Sequence, residues 1–474
     1  MASSEENRAF DAAFAAFPAR IATVTPDGQA VTYESYHRTV RSFTARLRAS
    51  GIGPGAVVAP FSENPAVFGA LVIALFRVGA TVACVSNPDI AFGQGLRVDY
   101  AITLPDRLSI CASNILFDQS WFGQAGDDSL GPDGRVILSS SGTTGEPKYY
   151  LCEQAILRDW SGRRGAGYEV RDADTLTTAP VYSGYGLTRI LHTILNGGAM
   201  FRPRESAAET LRALRPQQDL NIITTPAMLS DFVAAVEAGA PLPARLRGVL
   251  LGGSPVSRQF AQRAEAVMGC PVYNTYGAIE TGTSAITRLA GSPVEHGLLG
   301  KPLPGVEMRF EDGDGVPVAD GVEGILAIRV AQAGRVTEAL VGSWPYDAEG
   351  WFRPGDLGRV DPATGDIIVT GRVADLINSS GSKVAPSRYE TAALSMVPAD
   401  EIVAFGIPNT LGTEDVGLAV VAPETIDTAN LARRMKDRVG DHLDFMVRQF
   451  DAIPVGPTGK PDRAALREMF AAKG

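Results

Sequence analysis

Residues 56–86 read AVVAPFSENPAVFGALVIALFRVGATVACVS, and their rhythm decides the fold class. AVVAP is a short apolar run, PAVFGALVIALF is a longer one opened by Asn-Pro, and ATVACVS is a second short run after Val-Gly. Strand, helix and strand in that order predict a parallel α/β unit. The stretch from Ala66 to Phe76 meets Arg77 at once and is too short to span a bilayer, so it is expected as a buried helix. The alternation begins upstream, in FDAAFAAFPARIATVT and YESYHRTVRSFTARLRASGI, and resumes downstream in LTTAPVY, NIITTPAML, RGVLLGGSP and CPVYNTYGA. Each downstream run ends in Gly, Pro, Ser or Thr, and open α/β sheets hold ligands where their strands end.

From about Gly297 the texture changes to short strands punctuated by Gly, Pro and Asp, as in GLLGKPLPGVEMRFEDGDGVPVADGVEGILAIRV. This predicts a small antiparallel barrel or sheet. After GDIIVTGR, ending at Arg372, comes a tail with its own strand, helix and loop pattern, including the helical run TANLARRMKDRVGDHLDFM. The expected division is a large N-terminal α/β region over 1–370, a hinge at 371–373, and a mobile α+β domain over 374–474.

At 474 residues the chain exceeds one ordinary core, and 45% apolar with 20% charged residues is ordinary for a globular protein. A formal charge of −10 and the lack of any Lys/Arg run exclude a polyanion-tracking surface, so no nucleic-acid partner is expected. Cys84, Cys111, Cys152 and Cys270 show no CxxC or His-Cys spacing and read as isolated buried thiols in a reducing cytoplasm. The start, MASSEENRAF, lacks the basic and apolar regions of a signal peptide, and no membrane span is expected.

Residues 139–150, SSSGTTGEPKYY, follow the apolar VIL. Ile137 and Leu138 are expected to finish a strand, and the loop beyond offers hydroxyls, close-approach glycines and the Lys148 cation, which together suit a polyphosphate. A solvated turn is the plainer alternative. The Walker pattern GxxxxGK followed by Ser or Thr is absent, because Gly145 is followed by Glu146 and Lys148 comes two residues later.

SSSGTTGEPK closely resembles the phosphate-loop signature of the adenylate-forming superfamily of acyl-CoA synthetases, luciferases and nonribosomal-peptide adenylation domains. Further segments match in the family's order over nearly the whole chain. The resemblance implies that Ser139, Ser140, Ser141, Gly142, Thr143, Thr144, Gly145 and Lys148 clamp the β- and γ-phosphates of ATP. In YNTYGAIETG, residues 273–282, it places Asn274, Thr275, Tyr276 and Gly277 at the nucleotide, with Tyr276 stacked on adenine and Glu280 a catalytic ligand of Mg²⁺. In LRGVLLGGSPVS, residues 246–257, Gly252, Gly253, Ser254 and Pro255 would lie against adenine and the acid's pocket. In GWFRPGDLGRV Asp356 would hold the ribose hydroxyls, and Arg372, opening GRVADLINSSGSKVAPSRYE, would add a second ribose contact. Gly381 would line a narrow thiol passage, and Lys460 in PTGKPDR matches the mobile catalytic lysine. Tyr182, Ser183, Tyr185, Gly253 and Gly277, with Met228, would form the acid pocket.

The implied chemistry is activation of a small carboxylic acid by ATP to an acyl-adenylate with release of pyrophosphate. Transfer to coenzyme A, or to the phosphopantetheinyl arm of a carrier protein, would follow as the tail rotates. A carboxylate is ionised at neutral pH and needs no general base, so the site must instead neutralise charge building at the α-phosphate. An enzyme loading only a carrier protein, or stopping at the adenylate, is the enzymatic alternative; a non-catalytic nucleotide- or acyl-binding protein is the other.

Three positions depart from the family. Ile279 replaces a common Thr, leaving Thr281 or Thr283 to supply that hydroxyl; Ala374 replaces a charged hinge residue; Ser183 stands where relatives keep His or, nearby, Asp. Lack of the Asp reads against an α-amino acid. Arg189 admits two readings, a surface or ion-paired cation and a partner for a second acidic group on the substrate.

Overall fold

The apolar segment folds as the helix Pro65–Arg77, as expected. Asn64 caps it by accepting from Ala66 N at 3.0 Å, Pro65 fills the first turn where its missing N–H costs nothing, and nearly every residue is buried. It packs against the helices Tyr33–Ala49 and Gly184–Leu195. Those helices fill the core between two large sheets, where Val58, Val82 and Leu138 of one sheet join Ala22 and Met200 of the other. The computed structural model describes residues 4–141, 147–162, 174–214, 219–243, 245–253, 256–292, 294, 297–331, 335–379, 382–409, 414–439, 444–455 and 461–471.

One sheet has seven strands, in the order Glu338–Val341, Pro147–Glu153, Arg135–Ser141, Thr81–Cys84, Val57–Pro60, Tyr100–Thr103, Ser113–Leu116. Its pairings are parallel from Arg135–Ser141 onward and antiparallel at the other edge. The second has eight strands, Gly282–Arg288, Val272–Ala278, Arg245–Leu251, Asp219–Thr224, Asp174–Thr177, Met200–Phe201, Ile21–Val24 and Ala30–Thr32, parallel inside and antiparallel at both edges. Each sheet thus carries an antiparallel hairpin beside its parallel strands, Arg135–Ser141 with Pro147–Glu153 and Val272–Ala278 with Gly282–Arg288, and these two hairpins meet as described below.

The Gly- and Pro-punctuated segment forms a six-stranded sheet whose pairings are all antiparallel. One strand leaves it: Glu338–Val341 returns to pair with Pro147–Glu153. In the tail, Glu401–Pro408, Glu414–Val421 and Phe445–Gln449 form a three-stranded sheet, with the helices Pro386–Leu394, Thr428–Val439 and Arg463–Ala471 packed on it. The run read as one helix from Thr428 stops at Val439, and Phe445 and Met446 lie in a strand parallel to Glu414–Val421. Pairing satisfies that backbone and seats Phe445 in the tail core, which outweighs local helical preference. All four cysteines are free; Cys84, Cys152 and Cys270 are buried and Cys111 half-buried. No helix among the described residues is long and apolar enough to cross a membrane.

Candidate active site

The strand expected to finish at Leu138 runs on to Ser141. It pairs antiparallel with Pro147–Glu153 in the register Ser139↔Tyr149, Ser140↔Lys148, Ser141↔Pro147. Ser139, Ser140 and Lys148 thus stand on a hydrogen-bonded ladder beside the segment 142–146. Gly142, Thr143, Thr144 and Gly145 lie outside the described residues.

The hairpin Val272–Ala278 to Gly282–Arg288 approaches from the other sheet. Gly282 closes its tip at φ +64°, and a Cβ there would stand 2.2 Å from the Trp160 ring, so both conformation and space require glycine. The tip carries Glu280, whose side chain is buried. Burial pushes its carboxyl above the ordinary carboxylate range; its own backbone amide, the Ser140 and Tyr150 hydroxyls and the Lys148 ammonium pull it back. Glu280 and the hairpin that carries Ser140, Lys148 and Tyr150, about 130 residues apart in sequence, therefore form one polar cluster.

A third segment braces this cluster. Tyr346 donates to the Glu280 carbonyl and accepts from Val336 N at 3.1 Å, and Tyr150 Oη donates to Ser343 O at 3.3 Å. Gly342 turns at φ +93°, and a Cβ there would lie 2.8 Å from Lys148 Cγ, so the glycine leaves room for the lysine stem. Tyr150, Gly342 and Tyr346 carried no recognisable spacing; only the return of Glu338–Val341 to the first sheet brings the latter two here.

In the antiparallel six-stranded sheet, Asp356 and Arg372 face each other across a strand pair. Asp356 is 3% exposed; its Oδ1 accepts from Arg372 Nε at 2.8 Å and its Oδ2 from Tyr276 Oη. Burial, then the Asp356 charge, drive the Tyr276 phenol well above its ordinary value, so it stays a donor. Asn274 and Thr275 are buried in their strand, and Thr275 Oγ1 donates to Leu251 O at 2.6 Å. Gly252 and Gly253 follow the end of Arg245–Leu251, with the Tyr185 ring 3.0 Å from the Cβ position of Gly252. Ser254 and Pro255 lie outside the described residues.

Among the residues expected to line the acid pocket, the Ser183 hydroxyl accepts from Gly186 N at 3.0 Å and donates to Pro180 O at 2.7 Å, capping the helix Gly184–Leu195. Tyr182 is half-buried against the core between the sheets, and Met228 sits in the first turn of Pro226–Glu237. Ile279 packs its methyl onto Gly184, whose Cβ would fall 2.4 Å from Ile279 Cδ1. Of the two hydroxyls considered in its place, Thr281 Oγ1 bonds to Gly282 O and Ser284 within its own hairpin, and Thr283 Oγ1 accepts from Arg189 at 3.4 Å. Arg189 itself is 4% exposed and has no ion pair among the described residues, unlike the surface or ion-paired cation of the plainer reading.

Beyond Arg372, Val373 N donates to Gly355 O at 2.9 Å, and Ala374 is exposed in the single turn Val373–Asp375. The tail touches the N-terminal region through Asp400, whose carbonyl accepts from Ser257 Oγ at 2.9 Å and whose carboxylate pairs with Arg263. Gly381 and Lys460 lie outside the described residues; Val455 and Pro461, on either side of 456–460, form an isolated antiparallel bridge.

This arrangement, a hairpin from each parallel sheet meeting over a buried carboxylate, suits an enzyme that uses a nucleotide to activate its substrate. Residues 10–90 and 117–335 match the family model described as AMP-binding enzyme, and the chain belongs to that family. It is 26% identical to the fatty acid–acyl-carrier-protein ligase ScoC of Streptomyces coeruleorubidus, over 94% of this chain and 92% of that one. It is 28% identical to a 2-succinylbenzoate–CoA ligase of Geobacillus kaustophilus, over 83% and 82%. The fold matches ATP-bound MatB of Rhodopseudomonas palustris, with TM-score 0.83 at 21% identity over 98% and 99% of the two chains. It also matches the o-succinylbenzoate CoA synthetase of Bacillus subtilis in complex with its acyl-adenylate, with TM-score 0.78 at 20% identity over 97% of each.

Proposed function

We propose that this AMP-binding enzyme is an acid–thiol ligase: it joins a carboxylic acid to AMP, releases pyrophosphate, and passes the acyl group to a thiol. The observation that carries the reading is the cluster of Glu280, Ser140, Tyr150 and Lys148, which brings a buried carboxylate, hydroxyls and a cation together beside the predicted phosphate loop. Mg²⁺ is commonly held by one or two carboxylates with substrate phosphates and water completing its shell, and Glu280 suits that role. The metal would offset phosphate charge. Lys148 and the hydroxyls of Ser139 and Ser140 would hold the departing pyrophosphate, and Lys460 would reach the reacting oxygens.

Asp356 keeps acceptor capacity beyond Tyr276 and Arg372, which suits the two ribose hydroxyls. Residues 371–373 run from the end of the strand Ile367–Arg372 into the single turn Val373–Asp375 ahead of the tail's own sheet, which suits a hinge there. The acceptor is coenzyme A or a carrier-protein pantetheine, in line with the names of the two relatives. The test is to incubate the protein with ATP, Mg²⁺ and a panel of acids and look for acyl-AMP by mass spectrometry, then add coenzyme A or a holo carrier protein. An acyl-AMP consumed by either thiol is the expected result; ATP binding without any adenylate would instead favour a nucleotide-binding protein.

A further inference from the structure

Arg189 sits on the helix Gly184–Leu195, one turn after Tyr185, so the two side chains share a face. Arg189 is 4% exposed, yet among the described residues its guanidinium makes a single hydrogen bond, from Nη2 to Thr283 Oγ1 at 3.4 Å. Nε is buried with no partner, and no carboxylate pairs with the guanidinium among the described residues. The Tyr185 ring lies 5.5 Å from its Cζ, and Tyr185 Oη is buried beside the Thr275 hydroxyl with no well-formed hydrogen bond among the described residues.

The surroundings say where this group stands. Thr283 pairs in register with Gly277, and the Tyr185 ring lies against Gly252. Gly277 and Gly252 are among the residues expected to border the acid and the adenine. Arg189 therefore adjoins the segments expected to hold the acid.

A guanidinium keeps its charge in a protein, so it cannot escape burial by losing a proton as a lysine can. Buried charges are expensive unless paired, and folded proteins pair them. We infer that the acid activated here carries a second carboxylate, which Arg189 receives through its planar fork. This rests on the ligase reading above. The geometry of a guanidinium matches a carboxylate with two parallel hydrogen bonds, and Tyr185 Oη can donate a third. An alkyl or aryl acid lacking the second anion would leave both groups unpaired, and an ammonium would be repelled.

The experiment measures ATP–pyrophosphate exchange with a series of aliphatic and aromatic dicarboxylic acids, each beside its mono-methyl ester, which keeps one carboxylate to activate. For the best diacid, kcat/KM should exceed that of its half-ester by about a hundredfold or more, the scale of losing a charge-assisted contact that leaves buried donors unpaired. Arg189→Gln should collapse this ratio toward one, and Arg189→Lys should retain part of it. Unliganded Arg189→Gln should melt no lower than the wild type, because no ion pair is lost, whereas a structural arginine would show the reverse. If the Gln variant does not fold, the Lys variant carries the ratio test. Preference for half-esters or plain monoacids, or a ratio unchanged in a folded variant, overturns this inference and leaves the ligase reading intact. Exchange with no acid of either kind overturns both.

Discussion

Asp356→Asn tests the nucleoside end of the site with little change of shape. A carboxylate offers about four acceptor positions. In the structure Tyr276 Oη takes one on Oδ2 and Arg372 Nε one on Oδ1, leaving about two for the ribose hydroxyls. An asparagine would turn its oxygen to Arg372 and its NH₂ to Tyr276 Oη, which can accept, so the fold is retained. One neutral acceptor position then remains. A charge-assisted hydrogen bond contributes about 1.5–3 kcal/mol and a neutral one about 1 kcal/mol, so losing one ribose contact and weakening the other costs about 3 kcal/mol. That is about a 150-fold fall in kcat/KM for ATP. The assay is pyrophosphate exchange at varied ATP, repeated with 2′-deoxy- and 3′-deoxy-ATP. The deoxy analogues should react poorly with the wild type, and their penalty should largely vanish in the variant, as coupled contacts demand. A folded Asn variant within about threefold of wild-type efficiency, or equal deoxy penalties in both proteins, refutes the reasoning.

Four further outcomes are expected, from three variants. Glu280→Gln should raise the melting temperature of the unliganded protein at neutral pH, because burial holds this carboxyl above its ordinary range and the amide removes that charge; the gain should fade once the pH falls below that range. The same variant should lose Mg²⁺-dependent adenylation about a hundredfold or more; a variant equally active and equally Mg²⁺-dependent would remove Glu280 from the metal site. Burial, then the neighbouring Glu390 charge, raise Glu401 to about 7, so its contribution to tail stability is full below about 4.5 and lost as the pH rises through 7. Calorimetry of Glu401→Gln should show a tail melting advantage that opens between about pH 5 and 8; an advantage independent of pH would contradict it. Lys460→Ala should slow adenylation about a hundredfold or more while sparing thioester formation from supplied acyl-AMP; an equal fall in both half-reactions would deny it the assigned role.

The parts of the fold written in local pattern were legible. A continuous apolar run between Asn-Pro and Gly could only be the buried helix Pro65–Arg77, and the change of punctuation after Gly297 marked the antiparallel sheet. Asp356 and Arg372 were singled out through the family resemblance, and strand register sets them directly opposite each other. What escaped was non-local. The extension of the strand from Arg135 to Ser141, the return of Glu338–Val341, and the strand over Phe445–Gln449 each depend on a partner strand that periodicity does not reveal. Arg189 follows the same rule: SGYGLTR reads equally as the start of a surface helix, and only the sheet behind it buries the charge.

The central claim is that this chain makes an acyl-adenylate reversibly from ATP and a carboxylic acid. Labelled pyrophosphate exchange into ATP across a broad panel of acids tests it most directly. The account predicts exchange that requires both Mg²⁺ and a particular acid, and that falls when Glu280 is replaced by Gln. ATP binding with no exchange for any acid, or exchange indifferent to the acid supplied, would contradict it.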